Sequence, residues 1–315
     1  MKKVVGAGSL VVDITAYVPH LPRDGETVLG KTVRFGPGGK GNNQMTAVHR
    51  AGAEAVIISK VGEDFLAEIM KAHYEREGMS QKYIGAVKGG ETGSALIEVD
   101  ENTAQNAIVV VKGANDAVDA AAVEAAEHEF ADCDAVLTQL ETGMESVLKC
   151  KELAQKYHKP FILNPAPYQE IPDGLFEGVD FLTPNETEAE QFTNQKVDSP
   201  ESGFLAAEVL LNRGVKNVVI TLGKAGAVYA NRKERGYIPA ICVDAVDTTG
   251  AGDAFNGGLA AAVAAGMPIE KALRFANCAG ALSVTALGTA PAMPRLDRLK
   301  AFMKKHYGIE VTELD

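Results

Sequence analysis

The chain of 315 residues has no tryptophan, only four cysteines and six histidines, and just 6% aromatic side chains. Cys133, Cys150, Cys242 and Cys278 lie far apart and form no C-x-x-C pair, so neither a disulfide framework nor a zinc site is indicated and reduced core thiols are expected. No two histidines have the H-E-x-x-H spacing. Positive charge is scarce as well: 31 Lys and Arg against 42 Asp and Glu give a net charge of −11. Duplex binding draws on clustered basic contacts to phosphate, so no nucleic-acid partner is expected, although local groups can still hold a small anion. No apolar run approaches a membrane span, and "MKKVVGAGSLVVD" lacks the apolar core and cleavage site of a secretory signal. The sequence thus reads as cytoplasmic, with no membrane partner.

What is present is an alternation of short β-branched runs and amphipathic stretches. The segments 55–62, 135–141, 160–167, 181–186 and 217–223 predict buried strands, and "DFLAEIMKAHYEREG", "MESVLKCKELAQKYHK" and "ESGFLAAEVLLNRG" predict helices between them. Such alternation implies a mostly parallel sheet covered on both faces, with ligands beyond the carboxyl ends of its strands. Residues 14–37 and 91–112 break the rhythm with extended, turn-rich patterns. They predict a small second β-sheet, either a lid over a site or a peripheral sheet that covers an edge or pairs with a second chain. The remaining segments, 1–13, 38–90 and 113–315, are assigned to the α/β body.

Two glycine motifs fail as familiar fingerprints. "VVGAGSLV" has Val11 where a dinucleotide fold needs a third glycine, and "FGPGGKGNNQMTAVHRAG" has Gly41 where a P-loop needs Ser or Thr and Arg34 where it needs its first glycine. The second still marks close backbone approach at a helix start, and Asn42 and Asn43 put neutral amides there, which suit the hydroxyls of a sugar better than phosphate. Asp13 and Glu141 are read as acids closing strands, and Asn185 with Glu188 as either a helix cap or ligands of hydrated magnesium. "TLGKAG" is a glycine turn suited to a nucleotide.

The sharpest signal is "DTTGAGDAFNGG". A glycine turn entering a helix offers unpaired N–H groups and the positive end of the helix dipole to an anion. Placing Asp253 at the same point is poor design for phosphate binding alone. Phosphoryl transfer needs both, an anion hole for the charge on the phosphoryl group and a carboxylate that takes the proton of the attacking hydroxyl. The helix dipole is also expected to keep Asp253 ionised.

With "GGKGNNQ" and "DTTGAGDAFNGG" in place, and "GSLVVD", "QLE", "NPAP", "TPNETEAE", "TLGKAG" and "GTAPAMP" in order along nearly the whole chain, the sequence resembles the ribokinase (PfkB) family of carbohydrate kinases. The resemblance implies a three-layer α/β sandwich with a mostly parallel central sheet and a small β-sheet lid, and ATP-dependent phosphorylation of a primary hydroxyl. It implies Asp253 as base and Gly250, Ala251 and Gly252 as anion hole, with Asp13, Gly39, Lys40, Gly41, Asn43 and Glu141 around the sugar. It places Asn185, Glu188, Thr221, Gly223, Gly226 and Asn277 along the nucleotide and Mg2+. A K+ loop would run through Asp247, Thr249, Ser283, Ala286, Gly288 and Ala292, and a homodimer would form through the lid. "GSLVVD" departs from ribokinases, which carry Asn where Val11 stands; an apolar residue there cannot meet a buried sugar hydroxyl, so 2-deoxyribose is expected to serve at least comparably to ribose. A nucleoside kinase of the same family and a silent sugar or nucleotide sensor are the rival readings, and a sensor would have no need of the base.

Overall fold

The computed structural model describes residues 1–103 and 105–314. Its strands are β1 (Lys3–Ala7), β2 (Val11–Val18), β3 (Thr32–Gly38), β4 (Glu54–Val61), β5 (Ile84–Ala86), β6 (Gly93–Asp100), β7 (Asn106–Val111), β8 (Ala135–Thr138), β9 (Phe161–Leu163), β10 (Phe181–Leu182), β11 (Asn217–Thr221), β12 (Ala227–Asn231) and β13 (Arg235–Ile238). The helices are α1 (Lys40–Arg50), α2 (Phe65–Glu77), α3 (Ala120–Glu124), α4 (Glu127–Asp132), α5 (Met144–Lys156), α6 (Glu186–Thr193), α7 (Pro200–Asn212), α8 (Ala251–Ala264), α9 (Ile269–Ser283) and α10 (Leu296–Tyr307).

Nine strands form the main sheet in the order β13-β12-β11-β10-β9-β8-β1-β4-β5. It is parallel from β5 to β11, and β12 and β13 add an antiparallel edge that the sequence reading did not anticipate. Period-two alternation divides the core. Val4, Ile57, Leu137, Ile162 and Val219 pack with residues of α1, α2 and α8 to α10, whereas Val5, Val56, Ile58, Val136 and Ile220 pack with the α3, α4, α5 and α7 side. Covering both faces explains why these strands are continuous apolar runs. Cys133, Cys150 and Cys278 are buried thiols within these layers.

The second sheet has the order β3-β2-β6-β7; it draws on the two segments that break the α/β rhythm and extends past them to Val11–Asp13 and Gly38, which the sequence reading assigned to the body. It begins at Val11, so Asp13 does not close the first strand as expected: β1 ends at Ala7, and Asp13 is the third residue of β2 in the other sheet. After β1 the chain packs tightly on the start of α1: a Cβ on Gly8 would lie 2.6 Å from the Gly41 Cα. Glu141 is displaced in the same sense, since β8 stops at Thr138. Every residue of β7 is exposed, and Leu96, Val109 and Phe35 form an open apolar row through the partners of Ile14. Among the described residues no helix is long and apolar enough to cross a membrane.

Helix α8 shows why its alanines and glycines matter. It is buried between α1 and α9, and a Cβ on Gly257 would sit 2.4 Å from the Ala47 Cβ, one on Gly258 2.9 Å from the Ala279 Cβ. Small residues let three helices pack at backbone distance, which brings the start of α8 against the first turn of α1.

Candidate active site

Both glycine motifs become helix starts without side-chain caps. Gly39 precedes α1 with φ 89°, and Gly250 precedes α8 with φ 79°, a left-handed conformation open to glycine at little strain. Gly250 caps α8 with no side chain, and although the Ala251 N–H donates to the Thr248 carbonyl at 3.3 Å, the positive dipole end is open to an anion. Asp253 sits in that turn and is 7% exposed.

Its carboxylate is held by amides from α1. Asn43 Nδ2 donates to Oδ2 at 2.9 Å and Gln44 Nε2 donates to Oδ1 at 3.0 Å. Gln44 is a contact of Asp253 that sequence reasoning passed over; it stood in "GGKGNNQ", one residue beyond the amides singled out. Asn42, by contrast, is 0% exposed and its amide faces the interior. Asn43 Oδ1 is buried with no partner among the described residues, an acceptor beside Asp253 that a ligand hydroxyl would satisfy.

The other acids gather around one lysine. Glu141 Oε2 accepts the Lys40 backbone N–H at 2.9 Å and the Ser9 hydroxyl at 2.5 Å, and Ser9 Oγ in turn accepts the Gly41 N–H at 3.2 Å. Gly41 is required here, because a Cβ would lie 2.3 Å from the Ser9 backbone nitrogen. Burial pulls the Lys40 ammonium down, yet the carboxylates of Asp253, Glu141 and Glu188 outweigh it and hold its pKa above the ordinary value. Asp13 lies across Gly38, where any Cβ would strike its carboxylate at 2.3 Å. Burial lifts its pKa from 3.8 to about 6; the Thr289 hydroxyl, donating to Oδ2 at 3.1 Å, opposes this, and Asp253, Glu141 and Asp247 add to it. Val11, two residues earlier on the same strand face, is 4% exposed.

Of the residues assigned to the nucleotide, Glu188 lies within the field of Lys40 and Asp253. Asn185 and Glu188 form a full capping box on α6: Glu188 N–H donates to Asn185 Oδ1 at 2.8 Å, and Asn185 N–H to Glu188 Oε2 at 2.9 Å. The capping reading is therefore satisfied, and the box leaves Glu188 Oε1 outside it. Burial raises the Glu188 pKa, which the Asn185 N–H and Lys40 partly counter. Thr221 bridges to Asn185, linking this helix to the turn with Gly223 and Gly226. Gly226 has φ 100° and packs against Ile238 to Ala240, while Asn277 Nδ2 donates to Pro239 O at 2.9 Å and Tyr307 Oη at 2.8 Å, so its amide braces the same segment.

Asp247 stitches the last set together, taking the Thr249 N–H at 2.9 Å on one oxygen and the Gly288 N–H at 3.0 Å on the other. Ser283 O accepts the Ala286 N–H at 3.3 Å, and Ala292 ends the short 3-10 turn that follows Thr289. Among the described residues no group of three or more His, Cys, Asp or Glu side chains is arranged to hold a metal.

Comparison with known proteins identifies the family. The model of the "pfkB family carbohydrate kinase" matches residues 1–296. A ribokinase of Haemophilus influenzae is 36% identical over 96% of this chain and 99% of its own length. A deoxyribokinase of Salmonella typhi is 33% identical over 94% of this chain and 97% of its own. The solved structure of an Arabidopsis thaliana ribokinase complexed with ribose and ATP superposes with a TM-score of 0.86 at 28% identity, covering 96% of this chain and 98% of the other.

Proposed function

The chain belongs to the pfkB family of carbohydrate kinases, and on that footing we propose that it transfers the γ-phosphoryl group of ATP to the primary 5-hydroxyl of a pentose. The observation that carries this is the Asp253 carboxylate, fixed by two amide donors in the first turn of an uncapped, glycine-led helix. In the reaction Asp253 takes the proton of the 5-hydroxyl, that oxygen forms a bond to the γ-phosphorus, and the bond to the β-phosphate oxygen breaks to release ADP. The N–H groups of Gly250, Ala251 and Gly252 take up charge on the transferring group. Asp13, Gly39, Lys40, Gly41, Asn43 and Glu141 surround the sugar, and Asn185, Thr221, Gly223, Gly226 and Asn277 the nucleotide.

Magnesium fits the charge of the site. Glu141, Glu188 and Asp253 stand around the cation of Lys40, with Asp13 near Asp253 and Glu141, and a triphosphate entering that field needs a divalent ion, which neutralises phosphate charge. Glu188, through water, is the acid placed to hold it. The Asp247 loop, with its backbone carbonyls at Ser283, Ala286, Gly288 and Ala292 and with Thr249, offers oxygen donors of low charge, which suit K+. The apolar, exposed β7 side of the small sheet reads as the lid's contact with a second copy. Val11 in place of a polar residue favours 2-deoxyribose at least comparably to ribose, in keeping with a deoxyribokinase among the relatives.

The test is ADP release from ATP and Mg2+ across ribose, 2-deoxyribose, fructose and adenosine, with Asp253→Asn alongside. The parent is expected to prefer a pentose and Asp253→Asn to lose turnover while still binding sugar and ATP. A fully active Asp253→Asn refutes the assignment.

A further inference from the structure

Three neighbouring parallel strands each end in a polar residue that is buried beneath the site. Gln139 follows β8, Asn164 follows β9 and Thr183 follows β10, and they are 1%, 6% and 1% exposed. Their hydrogen bonds form one directed network. Gln139 Nε2 donates to Gln44 Oε1 at 2.7 Å. Gln44 Nε2 therefore faces the other way, donating to Asp253 Oδ1 at 3.0 Å and Asn164 Oδ1 at 2.9 Å. Asn164 Nδ2 donates to the Thr183 carbonyl at 2.9 Å, the Thr183 hydroxyl to Asn256 Oδ1 at 2.5 Å, and Asn256 Nδ2 to the Gly252 carbonyl at 2.8 Å. One set of buried amides thus reaches both the Asp253 carboxylate and the Gly252 peptide.

The direction of the network matters. A flipped Gln44 would set its oxygen 3.0 Å from Asp253 Oδ1 and 2.9 Å from Asn164 Oδ1, two repulsive contacts among buried groups. We propose that Gln44, held between Gln139 on one side and Asn164 on the other, is the positioning residue that keeps Asp253 aimed. This rests on the reading of Asp253 as the base. The other groups facing that carboxylate are the Asn43 amide and Lys40 of α1, Asp13 of β2 and Glu188 of α6, with Glu141 beside Lys40; none is altered by changing Gln44 or Gln139.

Three variants test it by steady-state kinetics from pH 5 to 9 with thermal unfolding alongside: Gln44→Met, similar in size but without donors, Gln44→Glu, and Gln139→Met. Hydrogen bonds to a charged group are the strong ones, so Gln44→Met is expected to lower kcat by about 10- to 100-fold with the sugar KM within about twofold. The acid limb of its pH profile should move up, since a lost donor favours the neutral carboxyl. Gln44→Glu should move it further, and Gln139→Met less and in the same direction. The double Met variant should be no worse than Gln44→Met, because both act along one chain. A Gln44→Met enzyme with the parent's kcat and acid limb overturns the proposal. If Gln44→Met does not fold, Gln139→Met decides: a stability loss with an unchanged acid limb marks a structural role only and also overturns it. Asp253→Asn separates the two readings, since an active Asp253→Asn sinks the base, whereas an inactive one beside unaltered Gln44 variants sinks only the positioning role.

Discussion

Replacing Asp13 by Asn should make the protein more stable at pH 8 while impairing it. Burial lifts the Asp13 pKa from 3.8 to about 6, and at about 1.36 kcal/mol per pH unit the folded state at pH 8 carries a penalty of up to about 3 kcal/mol for keeping this group ionised. Asp13 is half-buried, and solvent screening halves that figure to roughly 1.5 kcal/mol as a lower bound. Between about pH 4 and 6 the unfolded chain has released this proton while the folded chain still holds it, so stability falls as pH rises through that window. Below about 4 both forms are protonated and the penalty is gone. An Asn loses no partner: its Nδ2 can donate to Thr289 Oγ1, which then donates to the Pro37 carbonyl, already 3.1 Å away. The assay is urea unfolding of parent and Asp13→Asn at pH 8 and near pH 4, with sugar KM measured at pH 8. The expected result is a gain of about 1.5–3 kcal/mol at pH 8, little gain near pH 4, and a raised sugar KM. An Asp13→Asn variant no more stable than the parent at pH 8 would refute the reasoning, because it would mean that the buried carboxylate carries no ionisation penalty.

The Val11→Asn variant is expected to shift the kcat/KM ratio toward ribose over 2-deoxyribose by about five- to 150-fold, the range set by an unmet polar group of about 1–3 kcal/mol; competitive turnover of the two sugars measures it, and an unchanged ratio removes Val11 as the discriminating residue. The rate should rise with K+ at constant ionic strength, and equal rates with K+ and a tetraalkylammonium ion would discard the Asp247 loop as a cation site. Light scattering should give a dimer for the parent and a monomer for Val109→Asp, which places a charge at a 60% exposed position in the apolar row of the small sheet; a monomeric parent ends that proposal.

Much of this protein is determined by its sequence alone. The five expected strands are present, though β8, β9 and β10 are shorter than their apolar runs and stop just before Gln139, Asn164 and Thr183, whose side chains enter the buried network. Local chemistry sufficed for the two helix starts: Gly39 and Gly250 need left-handed or unusual φ, and a glycine turn followed by a helix announces itself in one dimension. Only the tertiary structure decided what those starts share. Asn43 and Gln44 meet Asp253 across some two hundred residues because Gly257 lets α8 press against Ala47 of α1. Asp13 lies in the second sheet because β1 ends at Ala7 and the chain resumes as β2 at Val11, a break that no local pattern in "GSLVVD" announces. The amide network could not be read in advance for the same reason: a polar residue after a strand is ordinarily a solvated loop residue, and its burial and partners depend on which helix the fold lays over it.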